Sequence, residues 1–185
     1  MENNPPSQIL DLFLPGQLDV TLLRLCHQLI EHHIDFKNSA MLAIQPRGVY
    51  LGRRMHALLQ SLLPDSTLPY GELDVTFFRD DVRRHASPLL ANTTKVDFLV
   101  EGKRVILVDD VLYTGRTIRA ALDAMLAFGR PSSVELLVLV DRNRQRELPV
   151  ESQYTGITVD ALPSEKVIVR LKESGGEDSV RMESR

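Results

Sequence analysis

Two adjacent carboxylates, Asp109 and Asp110, stand before a turn rich in hydroxyls and backbone donors in the stretch VILVDDVLYTGRT, Val105 to Thr117. Ionised carboxylates accept from neighbouring hydroxyls, while the free amides and positive dipole end at a helix start receive a phosphate. Thr114 and Thr117 add hydroxyl donors, and Gly115 permits a tight turn. A ligand that suits both halves carries a phosphate at one end and paired hydroxyls one sugar's width away, which a ribose 5-phosphate does. Successive strand side chains alternate faces, so a single ligand meets both acids only if the chain turns at Asp110, and a turn is expected there. An isolated Asp-Asp pair is more often a helix cap or a solvated charge. The combination with strand, turn and helix is what marks a site.

The elements that must hold this stretch follow from hydrophobic spacing. LDVTLLRLCHQLIEHH places Leu22, Leu25, Cys26, Leu29, Ile30 and His33 on one helical face, with Asp19 expected to cap it. Ala40 to Ile44 reads as a buried strand, followed by the breaker QPRG and a helix whose Leu51, Met55, Leu58, Leu59 and Leu62 share a face. ELDVTFFRDD alternates Leu73, Val75 and Phe77 and predicts a half-buried strand. Asp80 to Lys103 has little periodicity and predicts a loop that closes over a site. Val105 to Val108 is the next strand, TIRAALDAMLAFG the next helix, with Gly129 and Pro131 as its stop, and Val134 to Val140 a nearly continuous apolar strand. Two βαβ units predict an α/β fold, a doubly wound, mainly parallel sheet flanked by helices. EKVIVRL predicts a further strand, and Ser179 to Met182 a short edge strand.

Composition sets the frame. The 185 residues fit one domain, and 43% hydrophobic with 25% charged residues is the make-up of an ordinary globular protein. A net charge of -3 gives no overall basic field, so nucleic-acid binding would need a local patch. The one cysteine, Cys26, lies in an apolar run and is assigned to the core. The N-terminus lacks a basic start and a sustained apolar segment, and no run approaches the ~18 residues of a membrane span, so a cytosolic (cytoplasmic) protein is expected. A Walker-type phosphate loop, a G-x-G-x-x-G after a strand and a zinc-type Cys/His spacing are all missing. The five His are expected to be solvated or packed.

The thirteen-residue segment resembles the phosphoribosyl pyrophosphate signature of type I phosphoribosyltransferases. Further along, RGVYLGRR, GELDVTFFRDDV, RVILVDDVLYTGRTIRAALDAMLAFGRPSS and LVLVDRNRQRELPV resemble, in order, the pyrimidine operon regulator and uracil phosphoribosyltransferase family (PyrR), over about Asp19 to Arg170. The resemblance implies a type I phosphoribosyltransferase fold with a small hood, divided into an N-terminal extension (1–17), a phosphoribosyltransferase domain (18–172) and a C-terminal tail (173–185). It implies transfer of ribose 5-phosphate from phosphoribosyl pyrophosphate to uracil, giving uridine monophosphate (UMP) and diphosphate, with Mg²⁺ held by the diphosphate rather than by protein ligands. By position, Asp109 and Asp110 would bind the ribose hydroxyls, and Val111, Leu112, Tyr113, Thr114, Gly115, Arg116 and Thr117 would form the signature loop, of which Thr114 to Thr117 wrap the 5-phosphate. Arg47, beside Pro46, would hold the diphosphate, Arg79 would reach the phosphates, and Arg142 and Val167 would lie near the nucleotide or base.

The match departs from the family pattern at Pro46, where a Thr is usual, and at Asn143 to Gln145, where a Gly-His pair is usual, so the phosphoribosyl half of the site is the better defined. Two alternatives stand beside the uracil enzyme. One is an RNA-binding attenuator that grips pyrimidine leader mRNA and senses uridine nucleotides, with Arg24, Arg53, Arg54, Arg83, Arg84, Arg142, Arg144 and Arg146 as its candidate basic residues. The other is a type I enzyme for hypoxanthine, guanine or orotate. Arg53, Arg54, Arg83, Arg84, Arg144 and Arg146 are expected to be surface charges. The resemblance also implies a homo-oligomer, a dimer or higher.

Overall fold

The computed structural model describes residues 9–80 and 92–184. Eight strands and three α-helices run in the order β1 (Ile9–Asp11), α1 (Gln17–His33), β2 (Ser39–Ile44), α2 (Gly48–Leu62), β3 (Tyr70–Leu73), β4 (Arg104–Leu112), α3 (Arg116–Met125), β5 (Ser133–Arg142), β6 (Tyr154–Val159), β7 (Glu165–Arg170) and β8 (Ser179–Ser184). Five of the strands form a parallel sheet in the order β3-β2-β4-β5-β6, and β1, β8 and β7 form a small antiparallel hood.

Alternation along β4 divides the core. Ile106 and Val108 join Met41, Leu137 and Leu139 beneath α1 and α2, whereas Val105 and Leu107 join Leu42, Leu136 and Val138 beneath Ile118, Ala121 and Met125 of α3. Helices therefore cover both faces of the sheet, as the apolar strands required. Cys26 is fully buried, and burial pushes its thiol up to about 12, in keeping with a core role. No helix among the described residues is long and apolar enough to cross a membrane.

Four local expectations need correction. Asp19 lies inside the first turn of α1; the residue before that helix is Gly16, with φ +81°, and no side chain caps it. The strand expected through Phe77 stops at Leu73, because Asp74 Oδ1 accepts from the Thr76 amide (3.0 Å) and hydroxyl (2.6 Å). This Asx-type turn competes with the strand ladder; a 3-10 turn, Thr76–Phe78, follows and leaves Phe77 exposed. Ser179 to Met182 lies on the middle strand of the hood, flanked by β7 and β1, because the N-terminal segment returns to supply the outer strand.

The fourth concerns the acidic pair. β4 does not turn at Asp110 but runs to Leu112, still in register with β5. Of the loop expected over Asp80 to Lys103, residues 81–91, which include Arg83, Arg84 and His85, lie outside the described residues, as do residues 1–8 of the N-terminal extension. The returning arm is anchored: Lys95 and Glu72 exchange both backbone hydrogen bonds, at 2.8 and 2.9 Å.

Candidate active site

The pairing of β2 with β4 ends at Ala43 and Val108, so the last residues of β4 project beyond their neighbour on that side, at the carboxyl end of the sheet where ligands of open α/β folds bind. The alternation that separates the core clusters also separates the two acids. Asp109 opens on a cup of about 280 Å³ lined by Arg79 and by Val111, Leu112, Tyr113, Thr114, Gly115, Arg116 and Thr117. Asp110 opens on a second cavity, of about 480 Å³, with Arg47, Tyr50, Arg142, Val167, Leu171 and Ser174 among its lining. One strand end thus presents an acid to each of two adjoining spaces, without the turn that the sequence suggested.

Both carboxylates are buried. Asp109 Oδ1 accepts from the Asp110 amide and Asp110 Oδ1 from the Val111 amide, each at 2.9 Å. Burial pushes both carboxyls above the usual aspartate range; the Asp110 charge adds to the rise at Asp109, and Arg47 opposes it at both. Asp110 Oδ2 and Arg142 Nε are buried without a hydrogen-bond partner among the described residues, and both residues line the second cavity. Orphaned buried polar atoms are costly, and a polar ligand lying between the two would satisfy both.

The cup is built by a left-handed turn. Gly115 has φ +91° and precedes the first residue of α3, and a Cβ there would lie 3.3 Å from Leu148 Cβ. The segment after β5 braces this turn from behind. The Thr114 carbonyl accepts from the amides of Glu147 (3.0 Å) and Leu148 (3.2 Å), and Arg146 donates to the Tyr113 carbonyl and to Asp141. Arg116 turns outward to Asp80 and Glu147.

Arg47 occupies the position before α2, and α2 approaches β4 at Gly48 so closely that a Cβ would stand 2.6 Å from the Val108 carbonyl oxygen and 3.0 Å from Asp109 Cα. Pro46 is exposed beside Arg47 and lines neither space. Arg142 stacks over Tyr113, its guanidinium carbon 4.1 Å from the ring centre, and donates to the Leu162 carbonyl (3.2 Å) and Gln145 (3.1 Å). This contact ties the cup to the second cavity.

The candidate residues thus fall into two groups on either side of β4: Asp109, Arg79 and the signature turn in one, and Asp110, Arg47, Arg142 and Val167 in the other. Tyr50, Leu171 and Ser174 join the second group; Leu171 and Ser174 carry no local signal in sequence, since the hood reaches the cavity only by folding back over it. A larger cleft, of about 740 Å³ between α3 and the segment before β6, contains neither acid.

Comparison with known proteins accords with this geometry. The phosphoribosyl transferase domain family matches residues 21–173. The chain is 43% identical to the Bifunctional protein PyrR of Elusimicrobium minutum over 166 residues, covering 90% of this chain and 92% of the relative. It is 45% identical to the Bifunctional protein PyrR of Deinococcus deserti, covering 87% of each. The pyrimidine operon regulatory protein of Lactococcus lactis subsp. lactis is 43% identical, covering 86% of this chain and 88% of the relative. Among solved structures, the hypoxanthine phosphoribosyltransferase of Trypanosoma cruzi superposes with a TM-score of 0.69 at 14% identity, covering 95% of this chain and 97% of that one. The enzyme HGPRT-ase of Leishmania tarentolae, solved with GMP, gives 0.68 at 17%, covering 98% and 100%. At such identities these two establish the fold alone. The chain belongs to the phosphoribosyltransferase family, within its PyrR branch.

Proposed function

We propose that the chain transfers the 5-phosphoribosyl group of phosphoribosyl pyrophosphate to uracil, giving UMP and diphosphate. The observation that carries this reading is the pairing of Asp109 and Asp110 at one strand end, Asp109 lining the cup of the signature turn and Asp110 lining a cavity whose residues Asp110 and Arg142 each keep a buried polar atom without a partner among the described residues. The printed names of the relatives, Bifunctional protein PyrR and pyrimidine operon regulatory protein, support a pyrimidine substrate.

The chemistry fits the residues. The bond from the sugar's anomeric carbon to diphosphate breaks and a bond to a ring nitrogen of the base forms, with positive character on the sugar and negative charge on the leaving group. Buried carboxylates beside the ring stabilise the first, where little water weakens the interaction, and the guanidinium of Arg47 stabilises the second. The cup amides and the Thr114 and Thr117 hydroxyls hold the 5-phosphate and so fix the anomeric carbon against the base. Arg79, which lines the cup, contacts the phosphates in this reading. Arg142 and Val167 bound the space for the base.

Magnesium belongs to this proposal as a companion of the diphosphate. Among the described residues no group of three His, Cys, Asp or Glu side chains gathers to hold a metal. The hard carboxylate oxygens facing both spaces suit a hydrated Mg²⁺ bound mainly by phosphate, whose charge offsets that of the leaving group.

A panel of uracil, hypoxanthine, guanine and orotate, each assayed for diphosphate release with Mg²⁺ and the same sugar donor, tests the reading. Release with uracil and formation of UMP are expected; release with a purine or orotate and none with uracil overturns it.

A second role, control of pyrimidine genes, is favoured by the printed name pyrimidine operon regulatory protein, and binding of leader mRNA is the form of it proposed here. The candidate arginines that are described are largely engaged: Arg24 with the carbonyls of Thr155 and Gly156, Arg53 with Glu72, and Arg144 with Asp160. Filter binding of leader RNA with and without UMP tests this role, and the expected signature is affinity that falls steeply with salt. The homo-oligomer implied by the resemblance is part of the proposal and is read by light scattering.

A further inference from the structure

Charge is also buried outside the two spaces. Arg54 lies roughly two turns along α2 from Arg47 and is only 9% exposed, so it is not the surface charge expected from sequence. Its Nε donates to Glu173 Oε1 at 2.8 Å, its two terminal nitrogens donate to Asp178 at 2.7 and 2.8 Å, and one of them also reaches Glu173 Oε2. Asp178 Oδ1 in turn accepts from the Lys172 amide at 2.7 Å, and Ser174 Oγ donates to the Leu171 carbonyl at 2.7 Å. The hood turn between β7 and β8 is thereby folded on itself and bolted to α2.

Stability does not explain this arrangement. A buried ion pair gains about as much as it loses by leaving water, and apolar residues of similar volume often serve as well. The planar guanidinium fork held from two sides does supply a fixed angle and distance. The turn has little stiffness of its own, since Gly175 and Gly176 both take positive φ, +92° and +104°. It nevertheless contributes Leu171 and Ser174 to the lining of the second cavity, to which the start of α2 contributes Tyr50 and the residue before it, Arg47. Arg54 thus ties these two parts of the lining together.

We propose that Arg54, Glu173 and Asp178 form a lock that sets the position of the hood over the second cavity, which makes Arg54 a positioning residue for the base. The inference rests on the reading of that cavity as the base side of the site. Loss of the lock loosens the turn without unfolding the hood, because Val167, Leu171 and Val180 remain packed in the core. It acts on base binding and spares the phosphoribosyl side, whose cup is braced independently by Arg146, Glu147 and Leu148.

The test compares wild type with Arg54→Met, Arg54→Lys and the charge-free triple variant Arg54→Met/Glu173→Gln/Asp178→Asn, which folds even where one unpaired buried charge prevents it. Two quantities are read: the KM for uracil and for phosphoribosyl pyrophosphate, and amide hydrogen exchange across residues 165–184. The expected result is a KM for uracil raised roughly tenfold or more, with that for the sugar donor nearly unchanged, and faster exchange confined to the turn 171–178. Arg54→Lys, which keeps the charge but loses the fork, is expected to behave like Arg54→Met. Unchanged exchange, or faster exchange without a base-side change in KM, overturns the lock. If wild type uses no pyrimidine, the reading of the cavity fails, and the exchange comparison still decides the lock.

Discussion

Replacing Asp109 with Asn should make the protein more stable and nearly inactive. The wild-type carboxylate is buried, accepts one backbone hydrogen bond, and feels the charge of the adjacent Asp110. Its pKa is raised above the ordinary 3.8, chiefly by burial and next by the Asp110 charge. A carboxyl whose folded pKa exceeds its unfolded one binds more protons when folded, so its contribution to stability is best at low pH and declines as pH rises through the folded pKa. Asn keeps the acceptor for the Asp110 amide and carries no charge. The gain on substitution should therefore be absent near pH 4 and grow toward pH 8, where relief of a strained functional site is worth about 1–2 kcal/mol. For a chain of this length that is roughly 2–8 °C in Tm. The same change removes a charge that balances the developing positive sugar, and kcat should fall about 10²–10³-fold. Calorimetric scans at several pH values, paired with diphosphate release, measure both. A variant no more stable at pH 8 than wild type, or one whose gain is the same at pH 4 and pH 8, refutes the argument that the pair stores a cost of charge burial.

Three further outcomes are expected. Gly48→Ala places a methyl 2.6 Å from the Val108 carbonyl and against Asp109, so α2 must move; a loss of about 1–3 kcal/mol together with lowered kcat is expected by thermal melting and turnover, and unchanged values for both contradict the close-approach argument. His33 donates through Nε2 to Glu135 (3.1 Å) and accepts from Ser39 (2.7 Å) when neutral, and burial lowers its pKa from 6.5 against the pull of Glu135, with Arg104 and His32 also lowering it. The stability it supports is full above pH 6.5 and is lost as pH falls through the folded value, so Tm should drop between pH 7.5 and pH 5.5 in wild type and less so in His33→Gln; equal slopes contradict this. Arg146→Ala frees the Tyr113 carbonyl and Asp141 and should raise the KM for phosphoribosyl pyrophosphate several-fold, about 1 kcal/mol in binding, with the KM for uracil less affected.

What sequence could reveal divides along local and long-range lines. The turn that builds the cup was legible because its residues are consecutive and it needs a glycine at Gly115, where φ is positive. The parallel sheet was legible from apolar strands alternating with helical spacing. The end of β3 was not, since Val75 and Phe77 continue the alternation while the Asp74 side chain ends the strand by capturing Thr76. Nor was the straight course of β4 through Asp110, where each aspartate accepts the next residue's amide and the strand stays extended. The hood was the least visible part, because it is assembled from the two ends of the chain. Arg54 in particular looks like half of a solvated Arg-Arg pair until Glu173 and Asp178 are brought to it. The RELP segment had no physical rationale in sequence; its amides at Glu147 and Leu148 prove to hold the Thr114 carbonyl.

A crystal structure with phosphoribosyl pyrophosphate and Mg²⁺ tests the central claim most directly. The account predicts the 5-phosphate among the amides of 114–117, the ribose hydroxyls within hydrogen-bond distance of the Asp109 and Asp110 carboxylates, and the diphosphate toward Arg47. A sugar donor bound elsewhere, with both carboxylates turned away from its hydroxyls, would contradict it.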